Sequence, residues 1–336
     1  MRYLFCISLA LALLAGSDFI PLAAMGSAGA AENPPYVDQC TDQGKPFSIE
    51  TRIDGCSAII NSGQYKGKDL SWAFINRGSL YSIIGNYDSA LGDFTEAIAL
   101  DPTNGMAYDG RCFVHNSRGE NDLALADCDE AIKLDPNNAL AYNNRGNAWR
   151  AKNDLDRAIG DYTDAIRLEP KYVMAYNNRG DAYGMKIDYE HAIADFSESI
   201  RLDPGNAEVF NARCWARAIA GRELQQAVAD CGESLRMRPN DANTHDSLAF
   251  TYLKLGDLDR ALAEYNTALE LNPKIAGSLY GRGITKLRKG DVSAGKTDIE
   301  AAKKQSRPAS PMNLQNTASS PPIRAHRAGA GADLFP

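Results

Sequence analysis

From residue 71 onward, apolar, small and polar positions recur in register every 34 or 35 residues. Prolines mark the period at Pro102, Pro136, Pro170, Pro204, Pro239 and Pro273, each preceded by Asp, Glu, Arg or Asn. Counting each proline as position 32 sets repeats at 71–104, 105–138, 139–172, 173–206, 207–241 and 242–275, with a truncated seventh at 276–305. Position 4 is Phe74, Tyr108, Tyr142, Tyr176 and Phe210; position 8 is small, as in Gly78, Cys112, Gly146, Gly180, Cys214 and Ala249; position 11 is often aromatic, as in Tyr81, Trp149, Tyr183 and Tyr252. On a helix these positions share one stripe, bulky residues flanking a small one, so that a second helix can approach closely. The second helix shows Ala90, Ala124, Ala158, Ala192 and Ala261 at position 20, and Phe94, Tyr162, Phe196 and Tyr265 at position 24. Gly-Asn, Gly-Asp or Asn-Asp near position 15 breaks the chain between the helices, and the proline stops the second. The pattern predicts an all-α chain of helical hairpins.

The segments AYNNRGNAWRAKNDLDRAIGDYTDAIRLEP and AYNNRGDAYGMKIDYEHAIADFSESIRLDP carry the small and aromatic positions in full. They resemble the tetratricopeptide (TPR) family, over about residues 50 to 305. The resemblance implies a right-handed superhelical solenoid in which each hairpin leaves apolar surface open until a neighbour stacks on it. Residues 31–70 then form an N-terminal cap with an incomplete leading repeat, and the seventh repeat caps the other end.

Two features cross each hairpin. Position 7, usually aliphatic in the family, is Arg77, Arg111, Arg145, Arg179, Arg213 and Arg282, and position 23 is Asp93, Asp127, Asp161, Asp195, Asp230 and Asp298. The sixth repeat departs at both, with Leu248 and Glu264, so the repeats themselves suggest that Arg and Asp pair across the turn. Solvated surface charges are the competing reading. Cys40, Cys56, Cys112, Cys128, Cys214 and Cys231 fall in pairs 16, 16 and 17 apart. An even count, regular spacing and an export signal favour three disulfides, each closing a loop worth roughly 3 kcal/mol, over free core thiols.

That export signal is read from Arg2, the apolar run Tyr3 to Ala15 and the small residues ending near Ala30, which predict a signal peptide over 1–30. Asp18 and Pro21 interrupt the run before it reaches spanning length, so no membrane span is expected after cleavage, and Cys6 sits inside the run rather than after it. Removal of Arg2 and Asp18 leaves the net charge at −7, which disfavours nucleic acid as a partner. Residues 306–336, rich in Pro, Ser, Ala and Gly without period, are expected to be a disordered tail.

Apparent catalytic motifs lack their context. Residues 290–297 spell the phosphate-loop formula from Gly290 to Gly295, Lys296 and Thr297, but they run through a hairpin turn into a helix with no strand before them. His115, His191, His245 and His326 show no metal-ligand spacing, and no Cys-x-x-Cys marks a redox thiol. No cofactor or metal is expected, and no enzyme. The alternatives are a nucleotide hydrolase using residues 290–297, a thiol oxidoreductase, or a self-assembling structural protein whose groove takes a neighbour's tail as a homo-oligomer.

If positions 4, 8 and 11 face the partner helix, positions 2, 5, 9 and 12 lie on the opposite stripe, which in the family lines the concave groove. Asp109, Asn143, Asn147, Asn177, Asp181, Asn211 and Trp215 occupy it here. Asparagine offers a donor and an acceptor, so a ladder of them could pair with the backbone of an extended chain, or merely fill the helix face. Asn76, Asn144 and Asn178 at position 6 border the outer face and resemble the asparagine ladder of other members. Family members that clamp a C-terminal carboxylate use Lys and Arg at positions 2, 5 and 6, and no repeat here has them. The resulting expectation is a periplasmic or secreted bacterial scaffold that holds a neutral or basic protein segment.

Overall fold

A computed structural model describes residues 35–42 and 46–306. The expected signal peptide and all but the first residue of the expected tail lie outside them. The described residues contain sixteen helices, one short 3₁₀ turn and no strand. They divide into two compact units, the first ending at Ala182 and the second beginning at Tyr183.

In the N-terminal unit the helices are α1 (Pro35–Thr41), α2 (Ile49–Ser62), α3 (Ser71–Ile83), α4 (Tyr87–Leu100), α5 (Gly105–Arg118), α6 (Asn121–Leu134), α7 (Ala139–Ala151), α8 (Leu155–Leu168) and most of α9 (Val173–Met185). The C-terminal unit continues with α10 (Tyr189–Leu202), α11 (Ala207–Ala220), α12 (Leu224–Met237), α13 (Ala242–Leu255), α14 (Leu258–Leu271), α15 (Ala276–Arg288) and α16 (Val292–Ser306). Within each unit, consecutive helices pair as antiparallel hairpins, and α1 with α2 form the incomplete leading one.

Local chemistry sets the boundaries. After four of the six prolines the residue two along caps the next first helix: the Asn138 side chain accepts from the Ala141 amide at 3.0 Å, and Asn104, Asn206 and Asp241 likewise accept from an amide in the first turn, whereas Ile275 makes no side-chain cap. Position 16 caps the second helix through Asn86, Asp154, Asp188 and Asp257. Position 15, between them, is left-handed in every repeat: Gly85, Gly119, Gly221, Gly256 and Gly290, with Asn153 and Ile187 as the exceptions to glycine. The extra residue of the fifth repeat sits in this turn, where Glu223 also turns left-handed at φ 52°.

Between the two helices the small position 8 meets the bulky position 24. A Cβ on Gly146 would lie 2.7 Å from the Tyr162 ring, so the ring lies directly on the backbone. Two repeats replace this contact with a covalent one. Disulfides Cys112–Cys128 and Cys214–Cys231 join the same positions, with Cα atoms 5.5 Å apart in each, and Cys40–Cys56 joins α1 to α2 at 4.6 Å. All six cysteines are fully buried.

The Arg–Asp pairs form as the repeats suggested, and they reach further than one hairpin. Arg145 donates from Nε and Nη2 to the two oxygens of Asp161 at 2.9 and 2.7 Å, a bidentate fork repeated by Arg77–Asp93, Arg111–Asp127, Arg213–Asp230 and Arg282–Asp298. The remaining nitrogen, Nη1, crosses to position 25 of the preceding hairpin: Arg77 to Ser57, Arg111 to Thr95, Arg145 to Asp129, Arg179 to Thr163, Arg213 to Ser197 and Arg282 to Asn266. The position-4 ring lies against the guanidinium, as Tyr142 does at 5.5 Å from Arg145. These acids are buried, so the surface-charge reading does not hold.

In the sixth repeat Leu248 takes the arginine's place in the core, and the acid is met from one turn earlier. His245 at position 4 places Nδ1 2.6 Å from Glu264 Oε2 and Nε2 3.0 Å from the Pro239 carbonyl.

The position-15 comparison yields a test. Ile187 holds φ 65° with its side chain 69 % exposed, a conformation that costs a β-branched residue roughly 1–2 kcal/mol without compensating burial. Ile187→Gly is expected to stabilise the chain by about 1 kcal/mol in urea unfolding, whereas Gly256→Ile, its mirror, destabilises it.

Candidate functional site

The first-helix stripe expected to line a groove is described separately in each unit. In the N-terminal unit it is polar and tightly packed. Position 6 of one repeat lies against position 5 of the repeat before: Asn144 Nδ2 donates to Asp109 Oδ1 at 2.8 Å, and Asn178 Nδ2 to Asn143 Oδ1 at 2.9 Å. Asn116 at position 12 donates to the Asn144 carbonyl at 2.7 Å. At position 9, Asn147 accepts the Tyr162 hydroxyl at 2.8 Å, and Asp181 receives Arg150 Nη1 at 3.4 Å.

These contacts correct two expectations. Asn143 is wholly buried rather than displayed, because the first helices of adjacent repeats pack side by side and its carbonyl oxygen is consumed by Asn178. Asn144 and Asn178 do not border an outer face; both are buried at the same seam. Asp109, Asn147, Asn177 and Asp181 stay half-buried. The ladder nevertheless keeps unused capacity: Asn143 Nδ2, Asn177 Oδ1 and the Tyr172 hydroxyl have no hydrogen-bond partner among the described residues.

The C-terminal unit carries a different surface. Trp215 is 38 % exposed, and its ring lies 5.1 Å from that of Phe250, the position-9 residue of the next repeat. Lys254 places its ammonium 5.4 Å from the Phe250 ring. Asn211 is half-buried, one turn before Trp215, with its side-chain oxygen unpaired. Phe250, Lys254 and Tyr172 were not singled out from sequence, although Phe250 and Lys254 share the stripe of Trp215 one repeat later.

Two acids at position 5 stand apart. Burial pushes the Asp109 carboxyl up to about 6, offset only by the amide of Asn144. Asp246 in the C-terminal unit is likewise pushed up to about 6 by burial, against one hydrogen bond from Ser278 Oγ at 2.5 Å. Asp246 was also missed, since a lone acid at one repeat gives no periodic signal.

The phosphate-loop formula is accounted for by packing. A Cβ on Gly295 would lie 2.8 Å from the Gly283 carbonyl, so this glycine lets α16 press onto α15, and Thr297 Oγ1 donates back to the Ser293 carbonyl at 3.0 Å. Among the described residues no group of three or more His, Cys, Asp or Glu could hold a metal ion, and no helix is long and apolar enough to cross a membrane.

Comparison with known proteins follows the same lines. Family models described as TPR repeat match residues 114–149, 146–186 and 251–290, and models described as tetratricopeptide repeat match 71–104 and 175–206. None of the curated proteins matches the chain. Among solved structures, YrrB, described as a TPR protein with an unusual peptide-binding site, is 21% identical with a TM-score of 0.50, over 56% of this chain and 97% of its own. A tetratricopeptide repeat protein from Parabacteroides merdae is 18% identical with a TM-score of 0.54, over 70% and 93%. Pseudomonas aeruginosa pilF is 20% identical with a TM-score of 0.56, over 62% and 94%. At such identities the likeness concerns the fold.

The raised carboxyls give a pH test whose sign follows from linkage. An Asp near 3.9 when unfolded and about 6 when folded keeps its proton longer in the native state, so the contribution of that group to stability is full below pH 4, is lost as pH rises through 6 and stays lost above it. Asp109→Asn and Asp246→Asn are each expected to raise the melting temperature at pH 8 and to leave it nearly unchanged at pH 4. With its hairpins, capped turns and matching family models together, the chain is a tetratricopeptide-repeat protein.

Proposed function

We propose that the protein is a non-enzymatic scaffold of the bacterial cell envelope that binds an extended segment of a partner protein along its first-helix stripe. The carrying observation is a set of buried polar atoms without a hydrogen-bond partner among the described residues: Asn143 Nδ2 and Asn177 Oδ1 on the stripe of the N-terminal unit, with the Tyr172 hydroxyl just before α9, and, separately, Asn211 Oδ1 in the C-terminal unit. A passing peptide backbone supplies the missing donors and acceptors without regard to its side chains. The exposed Trp215 beside Phe250 adds an aromatic anchor of the kind that dominates binding energy at interfaces. The described peptide-binding site of YrrB, on a similar fold, accords with this reading.

Location in the periplasm or outside the cell is supported by three buried disulfides, which form and persist where the surroundings are oxidising. The apolar N-terminal run after Arg2 supports the same reading.

Affinity capture from envelope extracts tests the scaffold. The full chain is compared with Asn177→Lys and with Trp215→Ala, each checked for unchanged helicity and melting temperature. A protein retained by the parent and lost from both variants is the expected result. Recovery of the same proteins by parent and variants would move binding off this stripe. Alkylation of protein taken directly from cells should reveal no reactive thiol before reduction; six free thiols would contradict export.

A further inference from the structure

Most buried acids among the described residues are matched with cations; Asp109 and Asp246, both at position 5, are not. Asp93, Asp127, Asp161, Asp230 and Asp298 each hold an arginine. Asp109 in the N-terminal unit is the contrast: its side chain receives the neutral amide of Asn144, and no cation among the described residues pairs with it. The following repeats place Asn143 and Asn177 at the same position, so asparagine would satisfy the seam equally well. An acid kept where burial opposes its charge is a local cost, and such costs are found where function requires them.

Tyr172, which interacts electrostatically with Asp109, and the position-5 residues of the next two repeats supply the second observation. Asn143, wholly buried, leaves Nδ2 without an acceptor. Tyr172, 6 % exposed, leaves its hydroxyl unpaired, and lies near enough to Asp109 that the carboxylate's charge helps hold the phenol's pKa up, after burial itself. Asn177 leaves a carbonyl oxygen unpaired. Met106, one turn before Asp109 on the same face of α5, is 38 % exposed and offers apolar surface beside the acid. One uncompensated carboxylate, two buried donors and one buried acceptor left unpaired, and an apolar flank suit a ligand with a cation on an aliphatic stem beside a peptide bond.

We propose that these groups form a subsite for an arginine or lysine side chain of an extended partner segment, with Asp109 meeting the cation. Asn143 Nδ2 and the Tyr172 hydroxyl receive a backbone carbonyl, Asn177 Oδ1 accepts a backbone N–H, and the stem lies along Met106. The inference rests on the scaffold reading and gives its partner a chemistry: an extended, locally basic protein segment, suited to a chain of net charge −7.

The test is a positional-scanning decapeptide library, one position fixed and the rest degenerate, offered to the full chain, to Asp109→Asn and to Asp246→Asn. A charge-assisted contact of about 1.5 kcal/mol or more corresponds to an enrichment of about tenfold. The expected result is such an enrichment of Arg and Lys over Gln at one position, lost in Asp109→Asn and kept in Asp246→Asn. No preference for cations, or a preference unchanged in Asp109→Asn, overturns the subsite. Enrichment of other residue types that Asn177→Lys abolishes would remove the cation subsite and leave the scaffold reading standing, and no enrichment of any kind would remove both. The chain's own Arg324 and Arg327 are controlled by running Arg324→Gln/Arg327→Gln in parallel. Cation enrichment seen only in that variant would assign the subsite to the chain's own tail and overturn the partner.

Discussion

The guanidinium at position 7 is the group on which the stack depends. Five of the six, Arg145 among them, are committed in two directions, with two nitrogens on the aspartate across the turn and a third on position 25 of the hairpin before. A lysine could not do this, because only a planar fork of donors reaches a carboxylate bidentately and still presents a nitrogen sideways. The arrangement leaves each guanidinium only partly exposed and each aspartate buried, so desolvation and attraction are both large. Loss of either partner leaves a buried charge, which explains why Arg and Asp change together in the sixth repeat, with His245 meeting Glu264 instead.

How much of this was legible depends on where the information lies. The Arg–Asp and Cys–Cys pairs sit symmetrically about a turn, and the repeats compare themselves, so sequence alone singled them out. The lateral bond to position 25 left a trace that was passed over: the fifth repeat has Gly232 there, and the sixth, which follows it, has Leu248 in place of arginine. Burial of the asparagines was not legible, because helix periodicity tells which face a residue occupies but not how closely the next helix approaches that face. The raised Asp109 and Asp246 were hidden for a related reason. Their environment comes from neighbouring repeats rather than from their own helix.

The same packing shapes the exposed first-helix surfaces of each unit. In the N-terminal unit, side-by-side first helices consume the side-chain oxygen of Asn143 through Asn178 and leave Asn143 Nδ2, Asn177 Oδ1 and Asn116 Oδ1 buried without a partner among the described residues. In the C-terminal unit the equivalent stripe turns aromatic and basic, with Trp215, Phe250 and Lys254. Few unsatisfied groups at defined places within a packed unit suit the recognition proposed above, since the entropy of ordering those groups has been met in folding.

The central claim, that each arginine fastens its hairpin to the one before, is tested most directly by hydrogen exchange followed by mass spectrometry on Arg145→Met. The account predicts faster exchange in α8, which carries Asp161, and also in α6 of the preceding repeat, which carries Asp129. Loss of protection confined to α7 and α8 would contradict it, leaving the arginine as a tie within one hairpin only.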